Sequence, residues 1–181
     1  MKLSDGVEQA IHSVTILAGL SAQGVLSAAA LAEFHGVSAS YLLKHLQALS
    51  RVGIVETTPG PKGGYRLARQ PAMITLLDIV LAIEGPAPAF RCSEIRRRGP
   101  NPLSPDMLTK PCNINSAMLR AEKAYRAELK RVSIADILSD VGAIDDGTIA
   151  QRSCSFLQIH ERKSGPDNGR EPRFPEPFTG E

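Results

Sequence analysis

A chain of 181 residues that is 43% hydrophobic holds one compact domain, or a small domain with an appendage. With aromatics at 4% and no Trp, the core must be built from Leu, Ile, Val and Ala. A formal charge of +2 excludes a polycationic coat for nucleic acid while leaving room for a local basic patch.

Val7, Ile11, Val14 and Ala18 recur at helical spacing and predict a first helix that fades before Gly24. A short second helix is expected from Ser27 to Phe34, broken by Gly36. Ser38 stands where it can cap a third helix. Leu42, Leu46, Leu49 and Val52 put one apolar stripe on that helix, and Gly53 ends it. Ile54–Thr58 and Tyr65–Ala68 read as two strands joined by Pro59-Gly60-Pro61-Lys62-Gly63-Gly64, a glycine-tipped hairpin.

Thr75-Leu76-Leu77-Asp78 has capping-box spacing and opens a helix that runs to Glu84 and closes at Gly85-Pro86. Residues 86–112 are proline-rich without periodicity and predict a long loop, a feature that is usually functional. A long amphipathic helix follows, with Ile114, Met118, Ala121, Tyr125 and Val132 on or near one face. Ser133-Ile134-Ala135-Asp136 repeats the capping pattern for a short helix to about Val141. The remaining residues, 142–181, form an extension in which proline, glycine and charge predict disorder from about Ser164.

These elements give a mainly α fold with a small β-hairpin wing: a winged helix-turn-helix over 1–85, a sensor loop over 86–112, and a dimerisation helix with a short C-terminal helix over 113–141. The third helix buries its leucines and leaves Ser38, Ser40, Tyr41, Lys44 and His45 on or near the other faces. Short hydroxyls at a helix start suit phosphates, and the longer side chains reach base edges in a major groove. The hairpin offers Lys62 and Arg66, with Arg69 beyond, to phosphates or a minor groove. The expected partner is a double-stranded DNA operator. A winged helix can also serve purely as a protein-docking module, which stands as an alternative. No nucleophile–base–orienter set and no phosphate-binding glycine loop outside the wing is visible, so no enzyme is expected.

Two half-sites need two copies, and the helix from Asn113 to Val132 is long for a small monomeric core. A homodimer is expected through it. No apolar run of membrane-spanning length and no signal-peptide layout is present, so the expectation is a cytoplasmic protein without a membrane partner. Its three cysteines then read as free thiols, metal ligands or redox sensors. Glu8 and His12, four apart, share one helix face and can reach a single metal ion, although that spacing also describes an ordinary solvated pair. Cys92 has Arg91, Arg96, Arg97 and Arg98 close by, and nearby positive charge favours a thiolate. Oxidation of Cys92, or a bridge to Cys112, is a cluster-free way to reshape the loop.

Val37-Ser38-Ala39-Ser40-Tyr41-Leu42, Leu46-Gln47-Ala48-Leu49, Gly53-Ile54-Val55, Gly63-Gly64-Tyr65-Arg66-Leu67-Ala68-Arg69 and Ile74-Thr75-Leu76-Leu77-Asp78-Ile79 fall in order. They resemble the Rrf-two family of winged-helix regulators over roughly residues 1 to 141, and within it most closely the RsrR-like branch. The resemblance implies a long helix that crosses the partner subunit. It also implies a 2Fe-2S cluster held by loop cysteines of one subunit with a Glu and a His of the other, here Cys92, Cys112, Glu8 and His12. Replacing thiolate by imidazole raises the potential of such a cluster. The chain departs from the pattern twice. Met107-Leu108-Thr109 stands where a further cysteine is expected, and Pro59 stands where many members carry a basic residue before the first wing glycine.

Overall fold

The computed structural model describes residues 3–163. The expected tail disorder lies outside the described residues.

Helix α1 (Asp5–Leu17) buries Val7, Ala10, Val14 and Leu17, one apolar face at helical spacing. Helix α2 (Ala28–His35) starts where Ser27 Oγ accepts the Ala30 N–H at 3.1 Å. It stops at Gly36, whose φ of 65° is the left-handed conformation that closes a helix on its own carbonyls. Helix α3 (Ala39–Arg51) presses Leu42, Leu46 and Leu49, each 0% exposed, into the core. Val52, expected on that stripe, is 46% exposed, because the helix ends one residue earlier and the chain turns away.

Two strands form the wing. In this antiparallel hairpin Glu56 faces Arg66 and Thr57 faces Tyr65; the strands are labelled β2 (Val55–Thr58) and β3 (Gly64–Leu67) in chain order. At its tip the Gly63 N–H donates to Gly60 O at 2.9 Å. A Cβ on Gly63 would sit 2.0 Å from the Thr58 carbonyl oxygen, so this turn requires glycine.

Capping boxes open both helices for which they were expected, α4 (Leu76–Glu84) and α6 (Ile134–Ile144). The first helix is held to the second's start by reciprocal backbone bonds: Leu76 N–H to Val132 O at 2.9 Å and Ile134 N–H to Ile74 O at 2.8 Å. Ile134 thereby joins Ile74, Ile79, Leu31 and the α3 leucines in one core. Each such fully buried aliphatic side chain contributes roughly 1.5–3 kcal/mol.

Residues 86–112 are a loop containing two short 3-10 turns, Ile95–Arg97 and Pro105–Leu108. Helix α5 (Asn113–Arg131) then runs for 19 residues with none of them buried, and leaves Ile114, Met118 and Leu119 bare. At the α-helical rise it is about 28 Å long.

Three further elements lie outside the expectations. Strand β1 (Gly24–Val25) pairs with β4 (Arg162–Lys163), and helix α7 (Thr148–His160) leads into the latter. The result is a mainly helical winged-helix fold with small two-stranded sheets and a long C-terminal helix. Among the described residues no helix is long and apolar enough to cross a membrane.

Candidate functional site

Helix α3 turns its polar face outward beside the wing. Ser38 precedes the helix without capping it, because its hydroxyl is 3.1 Å from that of Ser40 instead. Tyr41, 42% exposed, and the exposed Lys44 project from the first two turns.

His45 takes a different direction. Its ring lies against the bare backbone of Gly6 in α1, where a Cβ would come within 2.4 Å of Cε1. Tyr41 meets it edge-on at 4.6 Å. Nε2 is buried without a hydrogen-bond partner among the described residues. Burial, and secondarily Lys44, lowers the imidazole below its ordinary value, with Glu84 pulling the other way. Glu84 itself is lowered by accepting from the Ser4 hydroxyl at 2.6 Å and the Ser4 N–H at 2.9 Å. The start of α1, the middle of α3 and the end of α4 thus meet around one imidazole.

On the wing, Lys62 is exposed at the turn. Arg66 pairs across the hairpin with Glu56, so its charge is already met. Arg69 donates through Nε to Gly53 O at 2.8 Å and through Nη2 to Val52 O, a guanidinium on the carbonyl end of α3. Sequence grouped these three cations; the structure separates an exposed one, without a partner among the described residues, from a paired one and a helix cap.

Glu8 and His12 are both exposed on α1. The His12 ring is 5.7 Å from that of His35, which burial, aided by the charges of His12 and Arg152, holds at about 4. Cys92 is exposed in the loop, and Cys112 is half-buried at the first residue before α5. Arg96 ties the loop together: it grips Glu94 through two nitrogens and donates to Lys110 O at 3.2 Å. Both thiols lie within electrostatic reach of its guanidinium. The Cys112 thiol is lowered by the N–H groups of Asn115 and Ile114 at the helix start, with Arg96 adding to this. In the single chain, among the described residues, no three His, Cys, Asp or Glu side chains converge on one point that could hold a metal ion.

Arg126 was not anticipated, although Glu122 stands four residues before it, a readable helical pair. It bonds Glu122 at 2.8 Å and donates to Pro86 O and Ala87 O at 2.9 and 3.2 Å, fixing the start of the loop to α5. Beside it opens a cavity of about 430 Å³ lined by Val80, Leu81, Pro88 and Tyr125 among others. The cysteine-bearing loop is therefore anchored at one end by Arg126 and at the other by Arg96.

The profile of the Rrf2 family, described as iron-dependent transcriptional regulators, matches residues 3–140. The protein YffB of Lactococcus lactis subsp. lactis, named as an HTH-type transcriptional regulator, is 34% identical over 140 residues, which span 77% of this chain and 88% of that protein. Among solved structures, IscR of T. potens is similar with a TM-score of 0.61 at 24% identity, covering 83% of this chain and 96% of its own. CymR of B. subtilis, described as a global cysteine regulator, is similar with a TM-score of 0.60 at 23% identity, covering 77% and 97%. Neither structure carries more than the fold at such identities. The family profile and the sequence relative carry more: this chain belongs to the Rrf2 family and is an HTH-type transcriptional regulator.

Proposed function

We propose that the chain works as a cytoplasmic homodimer that reads a double-stranded operator with α3 and the wing, and senses redox or iron–sulfur status at the subunit interface. The observation that carries the reading is the division of α3 into a buried leucine stripe and an exposed face with Tyr41 and Lys44, beside a wing tipped by Lys62. Ser38 and Ser40 add hydroxyls for phosphate at the helix start. Arg66 contributes after its partner Glu56, and His45 acts from behind by setting the seat of α3 on α1. The unit 1–85 holds this machinery, 86–112 the sensor, and 113–141 the joint.

The dimer reading is supported by α5. A helix without one buried residue, with Ile114, Met118 and Leu119 bare, leaves apolar surface that a second copy covers.

For the sensor, the donor set suits a 2Fe-2S cluster of the RsrR-like kind: Cys92 and Cys112 from one chain, Glu8 and His12 from the other. The reading draws on two chains, and it is in keeping with this that no single-chain group of three such ligands forms among the described residues. The lowered Cys112 thiol supplies a thiolate readily. When bound, such a cluster supplies a one-electron redox change. The chain's own residues then link α1 to α3. His45 rests on Gly6, close to Glu8 along the same helix, so a shift of α1 alters how the reading helix is seated.

A second reading has its own observation. The Arg96 guanidinium stands within electrostatic reach of both Cys92 and Cys112, which suits a cluster-free thiol switch in which the two cysteines give two electrons and two protons to an oxidant and form a disulfide. Anaerobic purification with iron, acid-labile sulfide and visible absorbance separates the two. Iron and sulfide in near-equal amounts with visible colour support the cluster. A colourless, iron-free dimer after anaerobic reconstitution removes it and leaves the thiol pair.

A further inference from the structure

Residues 148–163 lie beyond the stretch matched by the family profile, yet they fold back onto the DNA-reading unit. Leu157 is 8% exposed and packs at Gly19, near the end of α1. Phe156 meets Phe34 of α2 with ring centroids 4.7 Å apart. Arg152 lies over the same Phe34 ring at 4.4 Å and donates to its carbonyl at 3.1 Å. Glu161 accepts from the Ser21 N–H at 3.2 Å and from the Ser21 hydroxyl. This segment is a docked arm.

Its last strand forms a second ribbon beside the wing. β4 pairs with β1 through Gly24–Lys163 and Val25–Arg162. Just past β1, Leu26 exchanges two backbone bonds with Tyr65 of β3, at 3.0 and 2.7 Å. One isolated bridge thus ties the β1–β4 ribbon to the wing hairpin. Arg162 donates to Pro61 O, in the wing turn, at 3.2 Å. Arg162 also borders a hollow of about 220 Å³ with Ser27, Ala29 and Ala30 at the start of α2 and with Glu33 and His160. Helix starts and wings are both places where winged helices meet phosphate.

We propose that this arm is part of the DNA-binding unit: it fixes the wing, and it presents Arg162 and Lys163 as phosphate contacts beside Lys62. Both are exposed. A charged outer strand by itself also protects a sheet edge from pairing with other chains. Edge protection accounts for Lys163, but not for the hydrogen bond from Arg162 to Pro61 in the wing turn. The inference rests on the reading that the wing lies against DNA.

The test uses the full chain and a labelled duplex selected by the wild type from a random-sequence pool. Affinity is measured across a salt series for Arg162→Gln, Lys163→Gln, the double variant, Arg162→Lys and Lys62→Gln, with thermal unfolding to show that each remains folded. Each removed phosphate contact lowers the salt slope by about 0.9, so a fourfold rise in salt costs the variant roughly 3.5-fold less affinity than it costs the wild type. The double variant is expected to lose nearly twice that slope, while Arg162→Lys keeps it. A double variant with the wild-type slope, beside a Lys62→Gln variant whose slope falls, overturns the arm and leaves the wing reading intact. If the wild type selects no duplex, or if Lys62→Gln and the double variant both match the wild type, the wing reading falls and the arm with it.

Discussion

The imidazole of His45 in α3 sits on the Cα of Gly6 in α1, so close that a methyl group there would come within 2.4 Å of the ring. Two helices of the reading unit are seated on each other through a missing side chain.

Gly6→Ala is expected to destabilise the fold by about 1 kcal/mol. Overpacking costs about 1–3 kcal/mol and exceeds the helix-propensity gain of up to about 1 kcal/mol from replacing glycine. His45→Ala removes the clash, so the double variant Gly6→Ala/His45→Ala should be more stable than the sum of the single effects. Additive losses in thermal or urea unfolding would show that the contact does not couple the helices.

Stability should fall as the solution is acidified from neutrality. His35 is held at about 4 against an ordinary 6.5, chiefly by burial. The unfolded chain therefore binds more protons than the folded one throughout that window. The stabilisation is full above about 6.5 and is lost progressively as pH falls toward 4. His45, also lowered, acts in the same direction. Because His35 is half-exposed, solvent screening makes the loss smaller than the full linkage value. A Tm profile between these limits should be flatter for His35→Gln, and an unaltered profile would contradict the assignment.

Lys62 and Arg69 should separate binding from stability. Arg69 holds the carbonyls that close α3, so Arg69→Met should cost about 1 kcal/mol in unfolding, with the salt dependence of DNA binding unchanged. Lys62→Ala should leave the Tm in place and lower the salt slope by about 0.9. Reversed effects in the two assays would exchange their roles.

Much of this division was hidden in the sequence for a physical reason. Local grammar was readable: the Thr75–Asp78 and Ser133–Asp136 boxes open helices as expected, and the glycine-tipped wing is where the two β-prone runs and their Gly/Pro-rich link place it. What failed depends on distant partners. Gly24-Val25 is too short for periodicity, and its mate Arg162-Lys163 lies at the other end of the described chain. Helix α7 buries Leu157 while Ile149 and Ile159 stay exposed, so its pattern is faint. Arg66, Arg69 and Arg96 look alike as letters. Their roles follow from Glu56, the end of α3 and Lys110, which a one-dimensional reading does not bring near them. Arg96, read in the sequence as a charge beside Cys92, acts on the Cys112 thiol, because it folds back along the loop.

Cys112 should therefore react with an alkylating agent at neutral pH faster than an ordinary thiol, owing to the helix-start amides and Arg96. Its rate-against-pH curve should move to higher pH in Arg96→Gln. A curve that stays in place would remove Arg96 from the thiol's electrostatics.

The central claim is that two copies place α3 of each in neighbouring half-sites. Footprinting of the full chain on a selected duplex, with the stoichiometry measured alongside, tests this most directly. The account predicts two protected half-sites about 34–36 Å apart, or a multiple of that spacing, with two chains per duplex, and loss of protection in Tyr41→Ala. One chain on a single protected site, or protection that survives Tyr41→Ala undiminished, would contradict it.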